Sequence, residues 1–76
     1  MTRTFTATIW REEDGFVALC PELDIASQGV SVEEARANLR EAVELFLETA
    51  SPGEVAGRLN TEIYITPLEV SDGQAA

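Results

Sequence analysis

Residues 11–29, REEDGFVALCPELDIASQG, gather Glu12, Glu13, Asp14, Glu22 and Asp24 around Cys20. Carboxylates this close in sequence could hold Mg²⁺ for phosphodiester hydrolysis, and a thiol among them could act as a nucleophile. Each chemistry sets a requirement. Metal-assisted hydrolysis needs carboxylates that converge from several elements onto one point. Here Glu12, Glu13 and Asp14 surround a turn, and Glu22 and Asp24 flank a proline bend. A cysteine nucleophile needs a base, and the chain contains no histidine. One cysteine without histidine cannot complete a four-ligand zinc site either. There is no glycine-rich phosphate loop, and Glu33 and Glu34 would repel an anion from the helix start that follows Gly29. No catalytic residue, metal or cofactor is therefore expected, and by elimination the chain reads as a binding module.

The elements that hold these residues follow from periodicity. RTFTATIWRE alternates, with Phe5, Ala7 and Ile9 on one face and Thr4, Thr6, Thr8 and Trp10 on the other, as a strand does. Asp14-Gly15 is a hairpin signal, and FVALC is the returning strand. With Asp14 and Gly15 as the turn residues, Glu13 faces Phe16, Trp10 faces Leu19 and Ile9 faces Cys20. The second strand is apolar on both faces, which suits a central strand whose outer face is covered by another subunit. Cys20 then falls on the core face, where a free cysteine acts as a small hydrophobe. Pro21 ends the run, and IASQGV is a short third strand closed by a turn at Gly29.

Ser31 and Glu34 form an S-x-x-E capping box for the helix that begins there. Val32, Ala35, Leu39, Ala42, Val43, Phe46, Leu47 and Ala50 make one apolar stripe over about five turns, and Ser51-Pro52-Gly53 ends it. GEVAGRLN is a connector with room for a helical turn. TEIYITPLEV reads as a fourth strand, with Ile63 and Ile65 opposite Glu62, Tyr64 and Thr66, and Pro67 places it at an edge. The expected fold is α+β in the order β-β-β-α-β. A right-handed crossover gives a mixed four-stranded sheet of order 3-2-1-4 with the helix on one face. One domain is expected over residues 1–70, with a flexible tail at 71–76. Trp10, Leu19 and Tyr64 fall on the face away from the helix and are candidate anchors of an oligomer interface.

Fourteen acidic residues face five arginines, with no lysine, for a net charge of −9. That field repels phosphate, so direct nucleic-acid binding is not expected; it attracts a basic partner instead. No secretory leader or membrane span is evident, and one cysteine admits no internal disulfide, which places the chain in the cytoplasm. A domain of 76 residues has a core good for roughly 3–5 kcal/mol, so a homo-oligomer, dimer or tetramer, is expected.

Residues 11–48 resemble the HicB-like antitoxin family. The matching elements are Glu12-Glu13-Asp14-Gly15, Phe16, Ala18, Pro21-Glu22-Leu23, Ser27-Gln28-Gly29, Ser31-Val32-Glu33-Glu34-Ala35 and Asn38-Leu39-Arg40-Glu41-Ala42, in order. The resemblance implies a partial ribonuclease H-like fold that lacks that enzyme's catalytic carboxylates. It implies a partner as well: a small basic HicA-like toxin that cleaves mRNA, whose active site the antitoxin masks. The DNA-binding domain that many such antitoxins carry has no counterpart in these residues. On this reading the acids of the turn (Glu12, Glu13, Asp14) and of the bend (Glu22, Asp24) meet the basic partner. The alternatives are a stand-alone oligomeric scaffold or small-ligand module, and a residual Mg²⁺-dependent nuclease.

Overall fold

The computed structural model describes residues 3–73. Strands β1 (Thr8–Glu12), β2 (Gly15–Cys20) and β3 (Ile25–Gly29) are followed by helices α1 (Val32–Thr49) and α2 (Pro52–Arg58). The strands make an antiparallel meander of order β1-β2-β3. Helix α1 packs across one face, most closely on β3. The class is α+β as expected, with three strands and two helices.

The hairpin register differs from the expected one. Glu12 pairs with Gly15, Trp10 with Val17, Ile9 with Ala18 and Thr8 with Leu19. The two turn residues are Glu13 and Asp14, and Glu13 takes the left-handed conformation at φ 54°. Gly15 is needed for space instead: a Cβ there would stand 2.9 Å from the Gly29 carbonyl oxygen. The slip moves each residue to a partner two positions along, so the faces are preserved. Ile9, Ala18 and Cys20 still lie under the helix, while Trp10 and Leu19 share the open face diagonally.

Ala18, Cys20, Leu23, Ala35, Leu39 and Val43 form the buried core, with Phe5, Ile9, Phe16, Ile25, Phe46, Leu47 and Leu59 packed around it. The stripe of α1 supplies three of the six core residues. Ser31 caps α1 by accepting the Glu34 N–H at 3.1 Å. The Glu34 carboxylate reaches one residue beyond the cap and accepts from Val30 N–H at 2.9 Å. Gly29 lies directly beneath this first turn: a Cβ would meet the Ala35 nitrogen at 2.5 Å and the Glu34 carbonyl carbon at 2.8 Å.

The connector is more ordered than the sequence reading has it. Ser51 and Glu54 close a full capping box with Pro52 at the first turn, which starts α2. The same Ser-Pro-Gly-Glu run therefore ends one helix and begins the next. Beyond α2, the Asn60 N–H bonds the Glu22 carbonyl at 2.8 Å.

Two strand expectations are not met. Residues 3–7 lie outside the β1 ladder, because β2 ends at Cys20 before Pro21 and offers no backbone partner. Residues 61–70 form no strand and join no sheet. They stand away from the body as an arm, with Tyr64 81%, Leu68 84% and Val70 76% exposed. The radius of gyration is accordingly 15.5 Å, against about 11 Å for a compact chain of this length. The tail expected at 71–76 lies partly outside the described residues, at 74–76.

Candidate functional site

The acids of interest fall at opposite ends of the sheet. At one end, Glu12 closes β1, and Glu13 and Asp14 make the turn. All three are exposed. They rim a concavity of about 740 Å³ whose far wall is the end of β3 and the start of α1, including Val30 and Glu34. Glu12 accepts a hydrogen bond from the Trp10 indole N–H at 3.2 Å, which steers its carboxylate toward the open face. The Arg11 guanidinium lies 4.6 Å from the centre of the Phe16 ring, a cation–π contact. Val30, 77% exposed, is an apolar point in the far wall, lining the same concavity as the carboxylates. Negative charge around an uncovered apolar point suits a basic protein surface better than a small anion or nucleic acid. Glu34, a member of this rim, was missed by sequence reasoning because capping accounts for it fully.

Glu22 and Asp24 sit at the other end, one strand length or about 17 Å away. Glu22 is a clasp. Its carboxylate accepts the Thr6 N–H at 3.1 and 3.2 Å, the Thr6 hydroxyl at 2.6 Å and the Cys20 thiol at 3.6 Å. It thus stands in for the backbone partner that residues 3–7 lack. Burial works against its charge, but the Thr6 bonds outweigh this and hold its pKa below the usual glutamate value. Asp24 adopts the left-handed conformation at φ 55°, and its carbonyl accepts from the Arg58 guanidinium at 3.2 Å. The five acids therefore do not form one site; three of them, joined by Glu34, do.

Cys20 is buried in the core. Burial raises its pKa, the Glu22 carboxylate adds to this, and the Leu23 N–H opposes it. Both effects of its surroundings that raise the pKa disfavour the thiolate, and the chain holds no imidazole to activate it. Among the described residues no three His, Cys, Asp or Glu side chains are grouped to hold a metal ion. No helix among them is long and apolar enough to cross a membrane. The expected interface residues are not brought together within one chain: Trp10 and Leu19 share the open sheet face, whereas Tyr64 lies on the arm.

A curated UPF0150 protein of Helicobacter pylori (strain J99 / ATCC 700824) is 38% identical to this chain over 66 residues, which span 86% of the chain and 92% of that protein. The chain belongs to the UPF0150 family. A shared region of 66 residues in a chain of 76 takes in all of α1 and most of the sheet. No family model matches the sequence, and no solved structure matches it. The family name carries no activity with it, so function rests on the site.

Proposed function

We propose that this protein is an antitoxin-like module that binds a small basic HicA-type mRNA-cleaving toxin and masks its active site. The observation that carries the reading is the acidic concavity of Glu12, Glu13, Asp14 and Glu34, lined also by exposed Val30. Carboxylates there occupy the places that RNA phosphates take on a basic toxin, and the apolar point supplies the dry contact an interface core needs. The HicB-like motif run across residues 11–48 supports the same reading, as does the net charge of −9. On this proposal the fold is a partial ribonuclease H-like domain, the protein is not an enzyme, and it acts in the cytoplasm without touching nucleic acid. The test is co-expression with any small basic protein encoded next to it; the absence of such a neighbour also counts against the reading. Co-purification and relief of growth inhibition are expected. Failure of both, or unchanged binding by a chain reversed in charge at Glu12, Glu13 and Asp14, refutes the reading.

A second reading is favoured by the exposed arm and the uncovered sheet face bearing Trp10: an oligomeric scaffold with no toxin. A stable oligomer that captures no basic partner and changes no toxin's activity supports it.

A further inference from the structure

One chain holds two complementary parts that do not meet within it. The first is an edge. Strand β1 is an outer strand of the sheet, so one row of its backbone N–H and C=O groups has no ladder partner. Beyond its N-terminal end, between residues 3–7 and α1, runs a groove of about 510 Å³. Phe5, Leu39, Val43 and Leu47 give the groove an apolar lining, and Arg3, Arg36 and Arg40 give it positive charge. Those are three of the chain's five basic residues, in a protein of net charge −9. Glu44, also in the lining, is bonded to Arg40 at 3.3 Å.

The second part is the arm, residues 61–70. It alternates as a strand does, with Ile63 and Ile65 opposite Glu62, Tyr64 and Thr66. Its charged residues are Glu62 and Glu69, and it has no base. It is apolar and acidic where the groove is apolar and basic. Its alternating part, residues 62–66, is five residues long, as is β1 (Thr8–Glu12). Pro67, which cannot donate to a ladder, falls in the arm's second half, where pairing would end.

We propose that the arm of one copy pairs along β1 of a second copy and continues into this groove, and that the exchange is mutual. The arm is rooted where Asn60 bonds Glu22, the residue that also holds Thr6 in the groove wall. Yet it leaves that point exposed: Ile65 is 66% and Leu68 84% accessible, and the molecule is drawn out to 53 Å on its long axis. Its own groove stays empty of it. Reciprocal exchange closes a two-fold dimer, with each contact made twice and the β1 edge of both copies covered. The fourth strand of the sheet is then supplied by the partner copy. Tyr64 keeps a role in self-association, as a residue of the exchanged arm. The proposal does not rest on the toxin reading: a dimer that binds no basic protein leaves it standing.

A charge-swap mixing experiment tests it, read by light scattering coupled to size exclusion, with circular dichroism to check folding. The wild-type chain should run at twice the 8.3 kDa of one chain. A groove variant, Arg36→Glu with Arg40→Glu, and an arm variant, Glu62→Arg with Glu69→Arg, should each run as single chains. In each pure variant, arm and groove carry the same sign. Mixed in equal amounts, the two variants should return to dimer mass, since every arm then meets an opposite groove. Ile65→Asp with Leu68→Asp should also give folded single chains, because the arm touches nothing that its own body needs. A wild-type chain at single-chain mass overturns the proposal. So do pure charge variants that stay dimeric, folded variants whose mixture stays monomeric, and a dimer indifferent to the arm substitutions.

Discussion

Gly29→Ala should be among the most damaging single-methyl changes in this protein. The added Cβ would stand 2.5 Å from the Ala35 nitrogen, 2.8 Å from the Glu34 carbonyl carbon and 2.9 Å from the Glu34 Cβ. The two nearest atoms are backbone in the first turn of α1, so no side-chain rotation relieves the contact. Either α1 lifts from β3 by the better part of an ångström, or β3 bends away from β2. Lifting α1 loosens Ala35 and Leu39, both core residues. Overpacking of this kind costs about 1–3 kcal/mol, and an immovable backbone neighbour argues for the upper end. A domain of this length is stable by only about 4–11 kcal/mol. A loss of about 3 kcal/mol should lower Tm by roughly 12–24 °C. Thermal unfolding followed by far-ultraviolet circular dichroism measures this, with Gly57→Ala as the control. A Cβ at Gly57 meets nothing within 4 Å. A Gly29→Ala Tm within about 2 °C of wild type, below the shift expected for even 1 kcal/mol, would refute the claim that this contact fixes the helix on the sheet.

Gly57→Ala itself should raise stability by about 0.5–1 kcal/mol, since it sits inside α2 with free space around it; urea titration is the check. Glu22→Gln should cost about 1 kcal/mol at neutral pH, because a carboxylate that accepts both the Thr6 N–H and hydroxyl is replaced by a group with one acceptor. Glu22 has its pKa lowered in the folded state. Its contribution is therefore present in full above the ordinary glutamate pKa of about 4.3 and is lost as pH falls through the folded value. Unfolding measured from pH 6 down to pH 3 should show an acid limb in wild type that is shallower in Glu22→Gln; equal limbs would remove Glu22 as its source. Charge reversal of Glu12, Glu13 and Asp14 to lysine should leave Tm within a few degrees, because all three are exposed. It should weaken a basic partner by about 100-fold, roughly 1 kcal/mol for each rim charge. Titration calorimetry reads this directly, and an unchanged Kd would move the interface elsewhere.

The meander and α1 were legible because each is a local pattern: alternation around Asp14-Gly15 in one case, a capped apolar stripe in the other. What escaped depends on contacts between residues far apart in sequence. Gly15 looked like a turn residue, but what it provides is room for the carbonyl of Gly29, which lies beyond the whole of β2. Glu22 looked like a partner-facing acid, but its carboxylate is held by Thr6, sixteen residues earlier. Ser51-Pro52-Gly53 reads as a stop, although a serine three residues before Glu54 is as much a start. The alternation of residues 61–70 reads as a fourth strand, yet the segment joins no sheet in its own chain, because alternation supplies no ladder partner. Of the site, exposed acids at the hairpin turn were foreseeable. Their grouping with Glu34, and their separation from Glu22 and Asp24, needed the register.

The order of elements along the chain has a kinetic consequence. Each of β2, β3 and α1 packs closely on the element made just before it, and such local connectivity favours rapid folding. During synthesis the body can close once α2 and Asn60 have emerged, at a time when residues 61–70 are still to come. The arm is thus born onto a finished domain, and on the exchange proposed above its pairing would be a bimolecular event whose rate depends on how many copies are already present. Assembly would then report the protein's own concentration, slow when the chain is scarce and rapid when it is abundant.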